Sequence, residues 1–127
     1  MKAVLIKYSA ALLLVALLSA CSNANTLFFV GESEHWIVRY EAVIHSSNSE
    51  ETIYRFEYVG DEAVPFEVEY LRSGHSQKGK TVIDEHGKFN TGISSCTGCA
   101  VTDESEEISM TIWWNDQVET IELTLKK

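Results

Sequence analysis

The stretch HWIVRYEAVI, residues 35–44, alternates between two kinds of side chain, and this alternation decides the fold. One set of alternate positions is apolar, while the other set contains the charged residues Arg39 and Glu41. Successive side chains of a β-strand point to opposite faces of a sheet, so a period of two is typical of a strand with one buried face. The predicted buried face consists of Trp36, Val38, Tyr40, Ala42 and Ile44.

Two stretches that follow along the chain have the same period. TIYRFEYV, residues 52–59, and VPFEVEYL, residues 64–71, both alternate apolar with charged side chains over much of their length. We therefore expect two more half-buried strands. Their predicted inward-facing residues are Tyr54, Phe56 and Tyr58 in the first stretch and Val64, Phe66, Val68 and Tyr70 in the second.

The C-terminal part of the chain, residues 107–125, predicts a β-hairpin. Two alternating segments are separated by the polar residues Asn115, Asp116 and Gln117, which are typical of a tight turn. The predicted inward-facing residues are Ile108, Met110, Ile112 and Trp114 before the turn and Ile121, Leu123 and Leu125 after it. KTVID, residues 80–84, and TLFFV, residues 26–30, predict two further strands.

Turn signals between these segments recur roughly every eight to fifteen residues, which is typical of antiparallel all-β proteins. We therefore predict that residues 26–127 form one antiparallel β-sandwich of about seven strands, immunoglobulin-like in broad architecture. The spacing of cysteines and tryptophan that marks true immunoglobulin domains is missing, so the similarity extends to the architecture alone.

The N-terminus has the composition of a secretory signal. Lys2 and Lys7 supply positive charge, and residues 10–18 are apolar or small. The run is shorter than the roughly 20 residues that span a bilayer, so we predict a signal helix and not a permanent transmembrane helix. The apolar run leads into Leu18-Ser19-Ala20-Cys21.

Residues 18–21 resemble the lipobox of bacterial lipoprotein precursors, which is an aliphatic residue, two small residues and a cysteine. The resemblance implies a diacylglyceryl group on Cys21, cleavage after Ala20, and attachment to the extracytoplasmic face of the cell membrane. Residues 1–20 are then the signal peptide, and residues 21–25 are the lipidated cysteine with a short tether. Two acyl chains make a durable anchor, whereas one chain binds only reversibly.

Two stretches of the mature part, VGESEHWIV (residues 30–38) and IWWNDQVETIELTLKK (residues 112–127), resemble small uncharacterised lipoproteins of Gram-positive, spore-forming bacteria. This resemblance implies a cell with a single membrane. It supplies no catalytic residues that could be carried over to this chain.

The charge of the chain bears on its partners. The full sequence has 10 basic and 19 acidic residues, and loss of Lys2 and Lys7 with the signal changes the formal charge from −9 to −11. Such a chain repels phosphate backbones, which argues against nucleic acid as a partner. We expect a monomer that binds a basic envelope protein and needs no cofactor.

Cys96-Thr97-Gly98-Cys99 admits three hypotheses. A local disulfide between Cys96 and Cys99 agrees with an oxidising compartment outside the cytoplasm. A thioredoxin-like redox motif needs a helix after the first cysteine, and the sequence predicts a loop there. A structural zinc site needs four ligands, for which His75 and His86 would have to complete the set. The disulfide is the predicted state, and no metal site is predicted.

Trp113 is the candidate binding residue. Because Trp114 belongs to the inward-facing set, its neighbour Trp113 points outwards. An outward-facing tryptophan marks a binding surface, or it is covered by a loop or by a neighbouring long side chain. The stretch at residues 84–87 has groups for weak metal binding but is more typical of a solvated turn. The acidic stretch at residues 103–107 lacks the ligand spacing of a calcium-binding EF-hand.

No catalytic residue is predicted, because the four histidines form no HExxH or triad motif. The leading hypothesis is a non-enzymatic surface lipoprotein that binds or supports another envelope component. One alternative is an inhibitor or immunity-type protein acting on a basic hydrolase, to which an acidic chain would be steered. A second alternative is a thiol-disulfide redox protein that uses Cys96 and Cys99.

Overall fold

The computed structural model describes residues 24–127. The predicted signal helix, the cleavage site and Cys21 lie outside these residues. All regular elements in the described part are β-strands with antiparallel pairing, so the all-β prediction is confirmed. This part of the chain contains no helix that is long and apolar enough to cross a membrane.

The described residues form nine strands. They are β1 (Asn25–Glu32), β2 (Trp36–Ser46), β3 (Ser49–Tyr58), β4 (Glu67–Arg72), β5 (Gly79–Val82), β6 (Lys88–Asn90), β7 (Ser94–Thr97), β8 (Ile108–Trp114) and β9 (Gln117–Leu125). The number exceeds the predicted seven because β6 and β7, with 3 and 4 residues, are too short to show a period of two.

The strands form two facing layers of one curled sheet. In the first layer β1, β2 and β3 are paired in succession, and β6 and β7 both pair with β3. In the second layer the order is β5-β4-β8-β9. The layers join where Phe29 and Val30 of β1 pair with Leu125 and Thr124 of β9. Strands β5 and β6 are the two ends of this order, so the sandwich has an open side between them.

Aromatic side chains fill the space between the layers. Trp36 of the first layer is completely buried, and its ring lies 5.5 Å from that of Trp114 of the second layer, measured between centroids. Tyr58 and Phe89 contact the same indole at 5.2 and 6.3 Å. The side chains predicted to face inwards on β2 and β8 are all buried or partly buried.

The prediction of the buried face is wrong for one residue, Phe66. Phe66 is 73% exposed and lies in a bend just before β4, which begins at Glu67. Alternation places side chains on one face only where the chain is continuously extended, and the bend after Pro65 breaks that continuity. Val68, which is in the strand, is buried as predicted, and Val64 packs against the core.

Candidate functional site

Trp113 lies on the outer face of the second layer, in agreement with strand parity. On β8 it stands opposite Val118 of β9 on one side and Glu69 of β4 on the other. The indole is partly buried, whereas Val118 is 56% exposed. These residues line an open depression, here called the Trp113 groove. The outward-facing side chains and turn residues that line it are Glu67, Glu69, Trp113, Asn115, Asp116, Gln117 and Val118.

A lysine covers part of the Trp113 ring beside this groove. The Lys78 ammonium lies 3.9 Å from the centroid of the Trp113 ring, and its Nζ atom is 3.8 Å from Oε2 of Glu69. A cation is attracted to the π face of an indole, and a nearby carboxylate adds to that attraction. Of the alternatives expected for Trp113, the structure shows cover by a neighbouring long side chain, and an open depression lies beside the ring.

Cys96 and Cys99 are at the edge of the first layer. Their Sγ atoms are 2.05 Å apart, as in the local disulfide predicted for this pair. Cys96 lies in β7 opposite Glu50 of β3, and the backbone N–H groups of Gly98 and Cys99 donate to the carbonyl oxygen of Asn48. Strand and turn surround the pair, which differs from the helix N-terminus that activates a redox cysteine.

The residues considered for metal binding are dispersed. Within residues 24–127 there is no group of three or more His, Cys, Asp or Glu side chains that could hold a metal ion. In the predicted turn at residues 84–87, the backbone N–H of His86 donates to Oδ1 of Asp84. In the acidic stretch at residues 103–107, Oδ1 of Asp103 accepts hydrogen bonds from both the backbone N–H and the hydroxyl of Ser105. Both stretches are therefore hydrogen-bonded turns.

The structure assembles a cluster around His35 that was not predicted. The His35 side chain is almost completely buried, and its Nδ1 atom is 2.5 Å from Oε2 of Glu119. Its Nε2 atom is 3.3 Å from Oε2 of Glu62. The Ser33 hydroxyl donates to Oε1 of Glu119 at 2.6 Å, and the Tyr58 hydroxyl donates to Oε2 of Glu62 at 3.1 Å.

These contacts shift the pKa of each ionisable partner. The hydrogen bond to Glu119 raises the pKa of His35, and the bond to Glu62 adds to this effect, while burial opposes both. For Glu119, burial raises the pKa, but the hydrogen bonds from Ser33 and His35 outweigh it, so the net pKa is lowered. The pKa of Glu62 is lowered by a backbone hydrogen bond and by the Tyr58 and His35 side chains. The cluster therefore favours an imidazolium between two carboxylates.

The cluster is a network of ion pairs in which His35 contacts both Glu62 and Glu119. A nucleophilic serine needs its hydroxyl next to a ring nitrogen of the base. Here both ring nitrogens face carboxylates, and the Ser33 hydroxyl bonds to Glu119. One signal in the sequence could have revealed the cluster, because Glu119 shares the inward parity of Ile121 and Leu123, and an inward carboxylate requires a partner.

Comparison with known proteins gives no relative for this chain, since no protein-family model, no curated protein and no solved structure matches it significantly. The assignment of a function therefore depends on the geometry of the described residues.

Proposed function

We propose that the protein is a non-enzymatic, extracytoplasmic lipoprotein that binds a basic protein of the cell envelope through the Trp113 groove. The observation that carries the binding proposal is the position of Lys78, whose ammonium lies between the indole of Trp113 and the carboxylate of Glu69. Trp113 and Glu69 thus already bind a basic side chain of the protein itself. A lysine or arginine of a partner would be recognised by the same chemistry.

The charge of the whole chain supports a basic partner. In the groove, Glu67 and Glu69 pair with Lys80 and Lys78 at 3.2 and 3.8 Å, and Asp116 adds a third carboxylate. The mature chain would carry a formal charge of −11. Such a field accelerates the encounter with a cationic protein. Trp113 and the exposed Val118 supply apolar area at the centre of the contact, where tryptophan often contributes most of the binding energy.

The proposed anchor leaves this groove accessible. Strand β1 begins at Asn25, four residues after Cys21, so the sandwich stays within about 14 Å of the lipidated cysteine. The groove lies near Gln117, at the start of β9, whereas Leu125 at the other end of β9 pairs with Phe29 of β1. Eight residues of strand span about 26 Å, so the groove is at the end of β9 away from the attachment point.

The anchor is tested by the intact mass of the protein extracted from membranes with detergent. We expect a chain that begins at Cys21 and carries a diacylglyceryl group. A Cys21→Ser variant should lose the lipid and leave the membrane fraction, while a Ser22→Ala variant keeps both. A membrane protein whose Cys21 carries no lipid would contradict the proposed anchor.

The groove is tested with Trp113→Ala and a matched control, Phe28→Ala, which removes an exposed aromatic ring from the other layer. The lipidated wild-type protein should recover a basic protein from solubilised membranes, with recovery falling as salt is raised. Trp113→Ala should lose this protein and keep its melting temperature within a few degrees, whereas Phe28→Ala retains binding. Equal recovery by wild type and Trp113→Ala would refute the role of the groove.

A further inference from the structure

Arg72 differs from the other two arginines of the chain. Arg39 pairs with Glu57 at 3.3 Å, and Arg55 pairs with Glu41 at 2.8 Å. In the described part of the chain, Arg72 has no carboxylate within ion-pair distance, although acidic residues outnumber basic ones by 19 to 10. Its guanidinium instead lies over the rings of Tyr40 and Tyr54, at 5.3 and 5.4 Å from their centroids.

The partly buried Arg72 lines a cleft on the open side of the sandwich, between the β4–β5 edge and the β3 side of the first layer. The cleft has a volume of about 390 Å³, which is within the range of small-molecule sites. None of the residues that line it is acidic, in contrast to the chain as a whole. Its walls include Tyr54, Tyr70, Arg72, His75, Thr91 and Met110.

A buried hydrogen-bond donor without a partner lies in the wall of the same cleft. Tyr54 is 7% exposed, and its hydroxyl has no hydrogen-bond partner among the described residues. The neighbouring Tyr40 hydroxyl, by contrast, is 2.6 Å from Oγ1 of Thr102. Burial raises the pKa of Tyr54, so its hydroxyl keeps its proton at physiological pH and can donate it. A buried polar group without a partner is costly, and a bound ligand can satisfy it.

We propose that this cleft binds a small organic anion that carries a carboxylate or phosphate group. The planar guanidinium of Arg72 matches either group with two parallel hydrogen bonds. The Tyr54 hydroxyl, which is covered in the structure, becomes a third donor when the side chains over it move aside. Tyr70 and Met110 contact the apolar body of the ligand. The cleft and the Trp113 groove are on different faces of the second layer, and Lys78 borders both, since it lines the cleft and lies over the Trp113 indole. The proposed anion site uses Arg72 and Tyr54, which are not part of the Trp113 groove, so variants at these two residues test it separately from the proposed partner and anchor.

The test is a titration of the full chain in dodecyl maltoside micelles with benzoate, phenyl phosphate and the neutral analogue benzamide. The chain has three arginines, so its side-chain Nε–H resonances are easily assigned by substitution. Benzoate or phenyl phosphate should shift the Arg72 resonance with saturation and leave those of Arg39 and Arg55 in place. An absent or unsaturable shift with both anions, or an equal shift with benzamide, would overturn the proposal.

Matched variants separate this site from general charge effects. Arg72→Gln should abolish saturable binding, whereas Arg55→Gln removes the same charge from the surface and should retain it. Should Arg72→Gln fail to fold, Arg72→Lys serves in its place, because it keeps the charge but lacks the planar fork, and its affinity should fall about tenfold. Undiminished affinity in the folded Arg72 variant would contradict the assignment.

Tyr54→Phe provides a second, independent readout. Because the Tyr54 hydroxyl has no partner within the described residues, its removal should leave the melting temperature unchanged or raised. The affinity for benzoate or phenyl phosphate should nevertheless fall about tenfold, through loss of a hydrogen bond to a charged group. A lower melting temperature with unchanged affinity would assign the hydroxyl a purely structural role.

Discussion

At the scale of single residues, His35 is the group through which pH acts most directly on the fold. Its imidazole joins the turn after β1 to Glu119 of β9 and to Glu62 of the loop after β3. Stacking on Tyr58 and a tilted contact with Trp114 hold the ring in this position, at centroid distances of 6.1 and 5.2 Å. The ion pairs therefore connect the two layers at one end of the sandwich.

The raised pKa of His35 predicts a loss of stability at alkaline pH. Below its unfolded pKa of about 6.5 the imidazole is protonated in both states, so its contribution to stability is complete. That contribution is lost as pH rises through the raised pKa of the folded state. Glu62 and Glu119, whose pKa values are lowered from 4.5, contribute fully above that value and lose their contribution as pH falls through the lowered values.

We therefore expect the cluster to stabilise the fold most between about pH 4.5 and 6.5. His35→Gln should remove the decrease above pH 6.5, as measured by thermal unfolding from pH 4 to 9. His45→Gln is the matched control, because His45 is exposed and lies 3.9 Å from Glu51. A wild-type profile that rises from pH 6.5 to 8, or a His35→Gln profile that keeps the alkaline decrease, would disprove the role of His35.

At the scale of elements, the β8–β9 hairpin is the most locally encoded part of the fold. Its turn residues Asn115 and Asp116 have φ angles of 43° and 62°. Two successive positive φ angles are the mark of a type I′ turn, which matches the twist of the flanking strands. Asparagine tolerates this conformation well, whereas glycine is favoured over aspartate at the second position.

This geometry predicts that Asp116→Gly stabilises the protein by about 0.5 kcal/mol, because glycine has no Cβ to strain the left-handed conformation. Asp116→Val should instead destabilise it by about 1–2 kcal/mol, since a β-branched residue at positive φ is strained. Urea unfolding gives both values. The opposite order of the two variants would show that the turn has another conformation in solution.

At the scale of the whole molecule, aromatic packing closes the sandwich. Within residues 24–127, backbone pairing joins the layers only between β1 and β9, because β5 and β6 remain the two ends of the sheet. Beside the open side, Phe56, Tyr70 and Phe89 pack together, with the Phe56 and Phe89 rings stacked at 4.3 Å. Trp36 continues this packing towards Trp114 on the opposite layer.

We predict that Trp36→Ala lowers the free energy of unfolding by about 3–5 kcal/mol, because it leaves a cavity between the layers. This is a large part of the 5–15 kcal/mol that is typical of a whole domain. Trp113→Ala, on the outer face, should cost only about 1 kcal/mol. Urea unfolding of the two variants provides the comparison, and equal losses would argue against the inter-layer role of Trp36.

The sequence by itself determined seven of the nine strands, the hairpin, and the buried side of the strands with a long alternating run. Alternation is a local property, and burial of one face imposes it on all of β8 and on β2 from Trp36 to Ala42. The prediction failed at Phe66, where a bend interrupts the extended chain and removes the physical basis of parity. Strands β6 and β7 were missed for a related reason, since their short runs are ordered by pairing with β3 and not by a pattern of their own.

Only the tertiary structure decided which side chains meet. Glu119 and His35 are separated by 84 residues, and the curl of the sheet brings them into one ion-paired cluster. The same curl sets Arg72 of β4 over tyrosines of β2 and β3, and the β4–β8 register aligns Glu69 with Trp113 beside Lys78. Strand parity assigns a side chain to a face, but its neighbours depend on sheet order and register, which arise from contacts distant in the sequence.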